Sequence, residues 1–240
     1  MDLLNIIDNH IFSKDLNTLD LNKRTVINTI NPHSYCVAKS DSLFEKALLD
    51  SDILLPDGSG IVLAANFLRK KKIKKIAGAD IHQYLLQYAH NNGKKIFYLG
   101  AAPKTLELIG KKISIEYPNI KIGSYSPPYK TEFSKEDSRK MIQEVNQFNP
   151  DILFVGMTAP KQEKWVASNQ SNLNATIIVS IGAVFDFYSG TVQRSSSFWI
   201  KMGLEWLPRL IKEPKRLWHR NFVSTPKFLW YLIKTKIANI

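Results

Sequence analysis

A chain of 240 residues with 33 Lys and Arg against 21 Asp and Glu carries a formal charge of +12, with 44% hydrophobic and 11% aromatic residues. That apolar share excludes a disordered chain, and the length suits one large domain, or a domain with an appendage, that buries roughly 70% of its unfolded surface. The single cysteine, Cys36, excludes an internal disulfide and a multi-cysteine metal site and fits a reducing cytoplasm.

The chain opens MDLLNIIDNH, with acidic residues where an export signal wants basic ones, so export is not expected. No run of about 18 apolar residues predicts a spanning helix. Beyond this start, short apolar runs alternate with amphipathic segments. Strands are expected at Val26–Ile30, Asp52–Leu55, Lys95–Leu99, Ile120–Ser124, Asp151–Val155 and Thr176–Ile181. Helices are expected at Leu43–Leu49, Gly60–Leu68, Asp80–His90, Lys104–Glu116, Lys135–Phe148 and Pro160–Asn169. The alternation predicts an α/β fold, a Rossmann-like and mostly parallel sheet flanked by helices. DILFV and TIIVSI are continuously apolar, as strands buried on both faces are.

Composition changes near Arg194. Trp199, Trp206, Trp218 and Trp230 follow, together with Pro208, Pro214 and Pro226, which divide the region into short helical pieces. The expected organisation is an α/β core over residues 1–194 and a helical, basic and aromatic C-terminal appendage over 195–240. Residues 201–240 hold a net +7 and the run Arg69–Lys75 another six positive charges, leaving −1 for the rest of the chain. The body is near neutral and bears two basic patches.

Ligands of open α/β sheets bind beyond the carboxyl ends of strands, and four such ends carry suitable loops. The first holds Thr29, Asn31 and Pro32. The second runs Pro56-Asp57-Gly58-Ser59-Gly60, in which glycines allow close backbone approach and the following helix offers free N–H groups to an anion. Asp57 there can serve as a general base or, alternatively, cap the helix. The third, Gly100-Ala101-Ala102-Pro103, is a small-residue turn suited to a phosphate or nucleotide, with Pro103 in the first helical turn. It matches neither the dinucleotide nor the P-loop fingerprint. The fourth, Gly156-Met157-Thr158-Ala159-Pro160-Lys161-Gln162-Glu163, leaves Lys161 and Gln162 in the first turn of a helix, near any bound anion. The bland alternative has Lys161 and Glu163 solvated and Gln162 incidental.

Asp50-Ser51-Asp52 has the D-x-D form of a metal-binding motif, but it precedes its strand and so belongs to the wrong end of the sheet. His10, His33, His82, His90 and His219 are scattered, and Gly58-Ser59-Gly60 does not supply a G-x-S-x-G nucleophile turn. No metal and no cofactor are expected. In the tail, Arg209, Arg216 and Arg220 are spaced seven and four apart and interleaved with Trp206, Leu210, Ile211, Leu217, Trp218 and Phe222. Arginine forks suit diphosphate oxygens, and the mixture suits a segment lying on an anionic membrane, where each basic residue contributes about 1 kcal/mol. A solvated helix packed on the body is the alternative. Nucleic acid also attracts Arg and aromatic mixtures, but no helix-turn-helix, KH, RRM or zinc-finger pattern is present, so no nucleic-acid partner is expected.

Eight blocks in this order resemble the WecG/TagA/CpsF glycosyltransferases of bacterial envelope polysaccharide synthesis. They are Thr29–Pro32 (TINP), Leu55–Gly60 (LPDGSG), Ala77–Asp80 (AGAD), Phe97–Ala101 (FYLGA), Val155–Glu163 (VGMTAPKQE), Gly182–Gly190 (GAVFDFYSG), Gln193-Arg194, and Gly203–Arg216 (GLEWLPRLIKEPKR). The resemblance covers nearly the whole chain. It implies inverting, metal-independent transfer of a sugar, N-acetylmannosamine or its uronic acid, from a UDP-sugar to undecaprenyl-diphosphate-linked GlcNAc at the inner face of the cell membrane. Another UDP-hexose donor in capsule or exopolysaccharide synthesis is the alternative, and self-association is also implied. By position, Asp57 becomes the base and Thr29 its catalytic neighbour. Asn31, Gly58, Gln162, Arg209, Arg216 and Arg220 become substrate-binding residues, the arginines steadying the departing diphosphate. Gly100, Ala101, Pro103, Gly156, Pro160, Gly182 and Asp186 become the nucleotide-binding set. The chain departs from the family at Lys75, Ser195, Ser196 and His219, where Arg, Ala, Pro and a basic residue are common.

Overall fold

A computed structural model describes residues 1–192, 199, 210 and 218–239. Six strands form one sheet: β1 (Thr25–Ile30), β2 (Ile53–Pro56), β3 (Lys95–Gly100), β4 (Lys121–Tyr125), β5 (Ile152–Gly156) and β6 (Ile177–Ser180). Their order is β2-β1-β6-β5-β3-β4, and every pairing is parallel. All the expected strands are present, with no end displaced by more than one residue.

The helices that cover this sheet include α1 (Leu3–Asn5), which runs into a π-helical turn Ile6–His10, α2 (Pro32–Ala38), α3 (Ser42–Leu49), α4 (Ser59–Arg69) and α5 (Gly78–Asn91). They continue with α6 (Pro103–Glu116), α7 (Lys135–Phe148), α8 (Lys161–Asn169), α9 (Val184–Ser189) and, in the tail, α10 (Thr225–Ile237). The six expected helices are all there. Helices α1, α2 and α9 were not expected, because runs of three to seven residues give no helical period to read. Helix α2 owes its start to Asn31, whose side chain accepts from the amides of His33 and Ser34, both at 3.0 Å, while Ser34 Oγ accepts from the Asn31 amide at 2.8 Å.

Strand pleating sorts the core into two layers. Ile27, Tyr98, Phe154, Ile177 and Val179 face Ile81 and Leu85 of α5, Ile109 and Ile113 of α6, and Phe185 of α9. Val26, Leu99, Leu153, Val155 and Ile178 face Met141 and Val145 of α7 and Trp165 and Val166 of α8. On the same side, beyond β1, Ile30 and Leu54 pack with α1 to α4 and with Phe228 and Leu232 of α10. The residues of β5 and β6 are buried throughout, as their unbroken apolar sequences imply. The free edge of β2 is covered by the N-terminal segment: Ile11 bridges Leu54, and the Phe12 amide donates to Leu54 O at 3.0 Å.

Helix α10 docks on α2. Tyr35 meets the rings of Phe228 and Tyr231 edge-on at 5.5 and 6.0 Å. Ser224, at the foot of α10, contacts His33 Nδ1 through its hydroxyl at 2.8 Å and receives Cys36 Sγ on its carbonyl at 3.3 Å. The boundary expected at 194/195 lies outside the described residues. Phe228→Ala should lower unfolding free energy by about 3–5 kcal/mol. Amide exchange should then quicken along α10 more than along β5; equal protection of α10 would show that this ring does not hold the helix.

Candidate active site

Because every strand runs the same way, all six carboxyl ends lie on one edge of the sheet. From β3 the chain moves outward to β4, whereas from β5 it moves the opposite way to β6. The crevice between the ends of β3 and β5 is therefore a topological switch point, the usual ligand position in such sheets. Gly100 and Gly156 face each other there. A Cβ on Gly100, whose φ is +122°, would stand 2.3 Å from Gly156 O. Ala101 takes a positive φ of 59° and donates its amide to that same carbonyl at 3.0 Å. Its own carbonyl accepts from Ser126 Oγ at 2.7 Å, which ties down the loop after β4. Pro103 opens α6. These residues line the crevice as a tight backbone cradle.

The loop after β5 is held by side chains. Gln162, 4% exposed, accepts the Met157 amide on Oε1 at 3.0 Å and donates from Nε2 to Glu163 Oε1 at 2.8 Å. Glu163 is 3% exposed, and burial pushes its carboxyl up to about 7, against hydrogen bonds that pull the other way. Its Oε2 is buried with no hydrogen-bond partner, as are Asn28 Oδ1 within β1 and Ser180 Oγ at the end of β6. This overturns the bland expectation of a solvated Glu163 and an incidental Gln162. Lys161 is half-buried, which lowers its ammonium, and its Nζ donates to Lys130 O at 2.6 Å. Pro160 precedes α8 and follows a cis peptide bond. Gly182, after β6, has a φ of +44°, and a Cβ there would lie 3.4 and 3.5 Å from the Gln162 amide atoms.

At the other end of the edge, β1 and β2 bring Thr29, Asn31 and Asp57 together. The Asp57 amide donates to Ile30 O at 2.9 Å, and Ile30 is paired with Pro56. Gly60 presses on Pro32 so closely that a Cβ would stand 2.4 Å from Pro32 Cγ. The residue at the N-cap of α4 is Gly58, at φ +93°, not Asp57. Beside Asn31, His33 is held neutral, its pKa pushed down to about 4 by burial and then by Arg220 and His219, whose ring lies 6.2 Å away. Arg220 thus stands close to the Asn31 end of the site. Arg209 and Arg216 lie outside the described residues, as do Gln193 and Arg194. Asp186 sits on α9, with its carbonyl accepting from Val192 N at 3.1 Å.

Asp52 is at the amino end of β2, where Oδ2 accepts the Val26 amide at 2.8 Å; its motif is structural. Among the described residues no three His, Cys, Asp or Glu side chains converge as a metal-ligand set. The Arg69–Lys75 run is partly spent on the N-terminal segment. Arg69 grips Asp8 with two nitrogens at 2.7–3.0 Å, Lys71 reaches Ile7 O at 3.0 Å, and Lys74 pairs with Asp15 at 2.5 Å.

The chain is similar to known proteins over most of its length. The profile of the WecG/TagA/CpsF glycosyl transferase family matches residues 7–240. The chain belongs to this family. As a WecG/TagA/CpsF protein it is a glycosyltransferase. Two relatives share the printed name N-acetylglucosaminyldiphosphoundecaprenol N-acetyl-beta-D-mannosaminyltransferase. The one from Bacillus subtilis is 35% identical over 87% of this chain and 79% of its own length, and the one from Bacillus spizizenii 32% over 92% and 83%. A Staphylococcus aureus protein of the same name is 26% identical over 87% of the chain and 79% of its own length.

Sequence reasoning did not single out Glu163 or His33 as part of the site. The signal for Glu163 was its place one residue after Gln162 in a buried first turn. For His33 there was none, because its neighbours are about 190 residues away in sequence.

The Glu163 carboxyl has a clear pH signature. Its pKa is raised on folding, so its contribution is fully present below about 4.5 and is lost as pH rises towards about 7. His33 has the opposite sign, since its lowered pKa makes stability rise with pH between about 4 and 6.5. The difference in Tm between Glu163→Gln and the parent isolates the first effect. It should grow in favour of the variant from pH 4.5 to 7 and then level off; a flat difference would place the carboxyl in a polar setting.

Proposed function

We propose that this family member transfers N-acetylmannosamine, or its uronic acid, from a UDP-sugar to undecaprenyl-diphosphate-linked GlcNAc, without a metal ion. The main support is the single carboxyl edge of the sheet. It carries a glycine cradle at the β3/β5 switch and, three interstrand spacings away at about 14 Å, a carboxylate beside Thr29 and Asn31. The names of the relatives supply the acceptor and the sugar; the UDP carrier rests on the family resemblance.

In this reading the diphosphate of the donor lies against the Gly100, Ala101, Gly156 and Gly182 backbone, with Pro103, Pro160 and Asp186 completing the nucleotide pocket. The acceptor hydroxyl meets Asp57, oriented by Thr29 and Asn31, with Gly58 allowing close approach. Asp57 takes the hydroxyl proton as the oxygen attacks the anomeric carbon from the face opposite the diphosphate. The anomeric carbon–oxygen bond breaks, UDP departs with the bonding pair, and configuration inverts. Arg209, Arg216 and Arg220 neutralise the charge that develops on the diphosphate, a task that falls to cationic side chains when no metal serves. Residues 195–240 act as the appendage that completes the site, and self-association belongs to the same proposal.

An anionic bilayer as the working surface is supported by the outer face of α4 and α10. Leu63, Phe67, Leu229, Trp230, Ile233 and Ile237 are exposed there beside Lys227, Lys234 and Lys236. No helix among the described residues is long and apolar enough to cross a membrane.

With UDP-N-acetylmannosamine and a polyprenyl-diphosphate-GlcNAc acceptor, UDP release should proceed in EDTA; a strict requirement for a divalent ion would overturn the metal-free mechanism. Asp57→Asn should cut turnover about 10²-fold or more, and unchanged turnover in a folded variant would remove Asp57 as the base. Liposomes containing phosphatidylglycerol should co-float with the protein and do so less with Trp230→Glu plus Ile233→Glu. Equal flotation would move the membrane contact elsewhere.

A further inference from the structure

The first turn of α8 holds an arrangement that the proposed chemistry does not by itself require. A glutamine amide has two lone pairs and two N–H donors. In Gln162 one lone pair takes the Met157 amide and one N–H goes to Glu163 Oε1. An N–H and a lone pair remain. Gly182 leaves no side chain against them: a Cβ there would lie in van der Waals contact with both amide atoms, at 3.4 and 3.5 Å. Gly182 follows β6, which lies between the switch crevice and the β1–β2 end.

Glu163 is a costly way to build this turn. Its carboxyl is 3% exposed, has no cationic partner among the described residues, and leaves Oε2 without a hydrogen bond. A leucine of similar volume would avoid the desolvation of a carboxyl and fill the same space. What leucine could not do is accept from Gln162 Nε2. The two anchors of the amide are complementary: Met157 N–H only donates and so fixes the carbonyl end, and Glu163 Oε1 fixes the amino end.

We propose that Glu163 is a positioning residue for sugar transfer, clamping the Gln162 amide so that it both ties the Met157 loop to α8 and presents its remaining N–H to the donor substrate. This rests on the reading of the site given above, in which the donor lies along the loops after β5 and β6. Glu163 itself does not touch substrate.

The test compares full-length Glu163→Leu and Glu163→Gln with the parent, using amide exchange of the 157–161 segment, thermal unfolding at pH 8 and steady-state kinetics. Glu163→Leu should unfold at an equal or higher temperature while 157–161 exchanges about tenfold faster. It should also lose about tenfold or more in kcat/KM, mainly through a higher donor KM. Glu163→Gln keeps an acceptor in place of Oε1 and should restore both exchange protection and rate. Parent-like exchange and kinetics in Glu163→Leu would overturn the proposal. So would a folded Glu163→Gln as impaired as Glu163→Leu, because the carboxyl proton and not the clamp would then matter. If Glu163→Leu fails to fold, Glu163→Ala gives the same comparison against Glu163→Gln. Should the parent transfer nothing from the donors tried, the donor assignment fails, and the exchange data still decide whether Glu163 clamps the loop.

Discussion

The pairing of β6 with β1 on one side and β5 on the other is the interaction on which the rest depends. It is made by Ile177 to Ser180, the last strand in sequence, inserted into the middle of the sheet. One half of the sheet is β1 and β2, which bear Thr29, Asn31 and Asp57; the other is β3, β4 and β5, which bear the Gly100–Gly156 crevice. Once β6 joins them, parallel direction forces every loop that can touch a ligand to one edge, and the positive-φ turn at Gly182 falls between the two ends.

The site is built with little slack in its backbone. Gly100 against Gly156 O and Gly60 against Pro32 are approaches that a side chain would obstruct, and Gly182 holds a positive φ beside the Gln162 amide. They explain why glycines stand in three separate sequence blocks that otherwise share nothing. Beneath this edge, burial moves two titratable groups away from their ordinary ranges. Glu163 is pushed up, while His82, buried against Tyr98 Oη at 2.6 Å, is pushed down to about 3. Apolar surroundings with fixed dipoles suit a reaction in which charge moves from a hydroxyl to a diphosphate, because the environment need not reorganise during the step.

Helix α10 is held by Phe228 and Tyr231 against Tyr35 and by polar contacts at Ser224. Ser224 receives both the His33 and Cys36 side chains, and Arg220 lies one turn before it, next to the N-terminus of α2. The same docking leaves the outer faces of α4 and α10 exposed together. In the described part of the tail, His219 packs beside His33 at the start of α2, and a lysine-flanked apolar face of α10 is exposed. The second basic run is different, since Arg69, Lys71 and Lys74 largely serve to fasten the N-terminal segment over β2.

Much of this was legible in the sequence. Strand positions followed from short apolar runs whose period is set by local geometry, and so did the six longer helices. The chemistry-bearing loops could be found because strand ends are where open sheets bind ligands. The family blocks added the reaction class. The short helices α2 and α9 were not legible, since they are stabilised by a cap and by packing against distant rings, not by their own period. Glu163 reads as a surface residue because nothing local buries it; it is buried in a helix that packs against α3 and β6. Sequence alone thus determined the α/β alternation, the charge distribution and the residues available at each strand end. The tertiary structure decided the strand order, the placing of β6 between the two halves of the sheet, the burial of Glu163 and the lowered pKa of His33. Those depend on contacts between segments far apart in the chain, which no local pattern encodes.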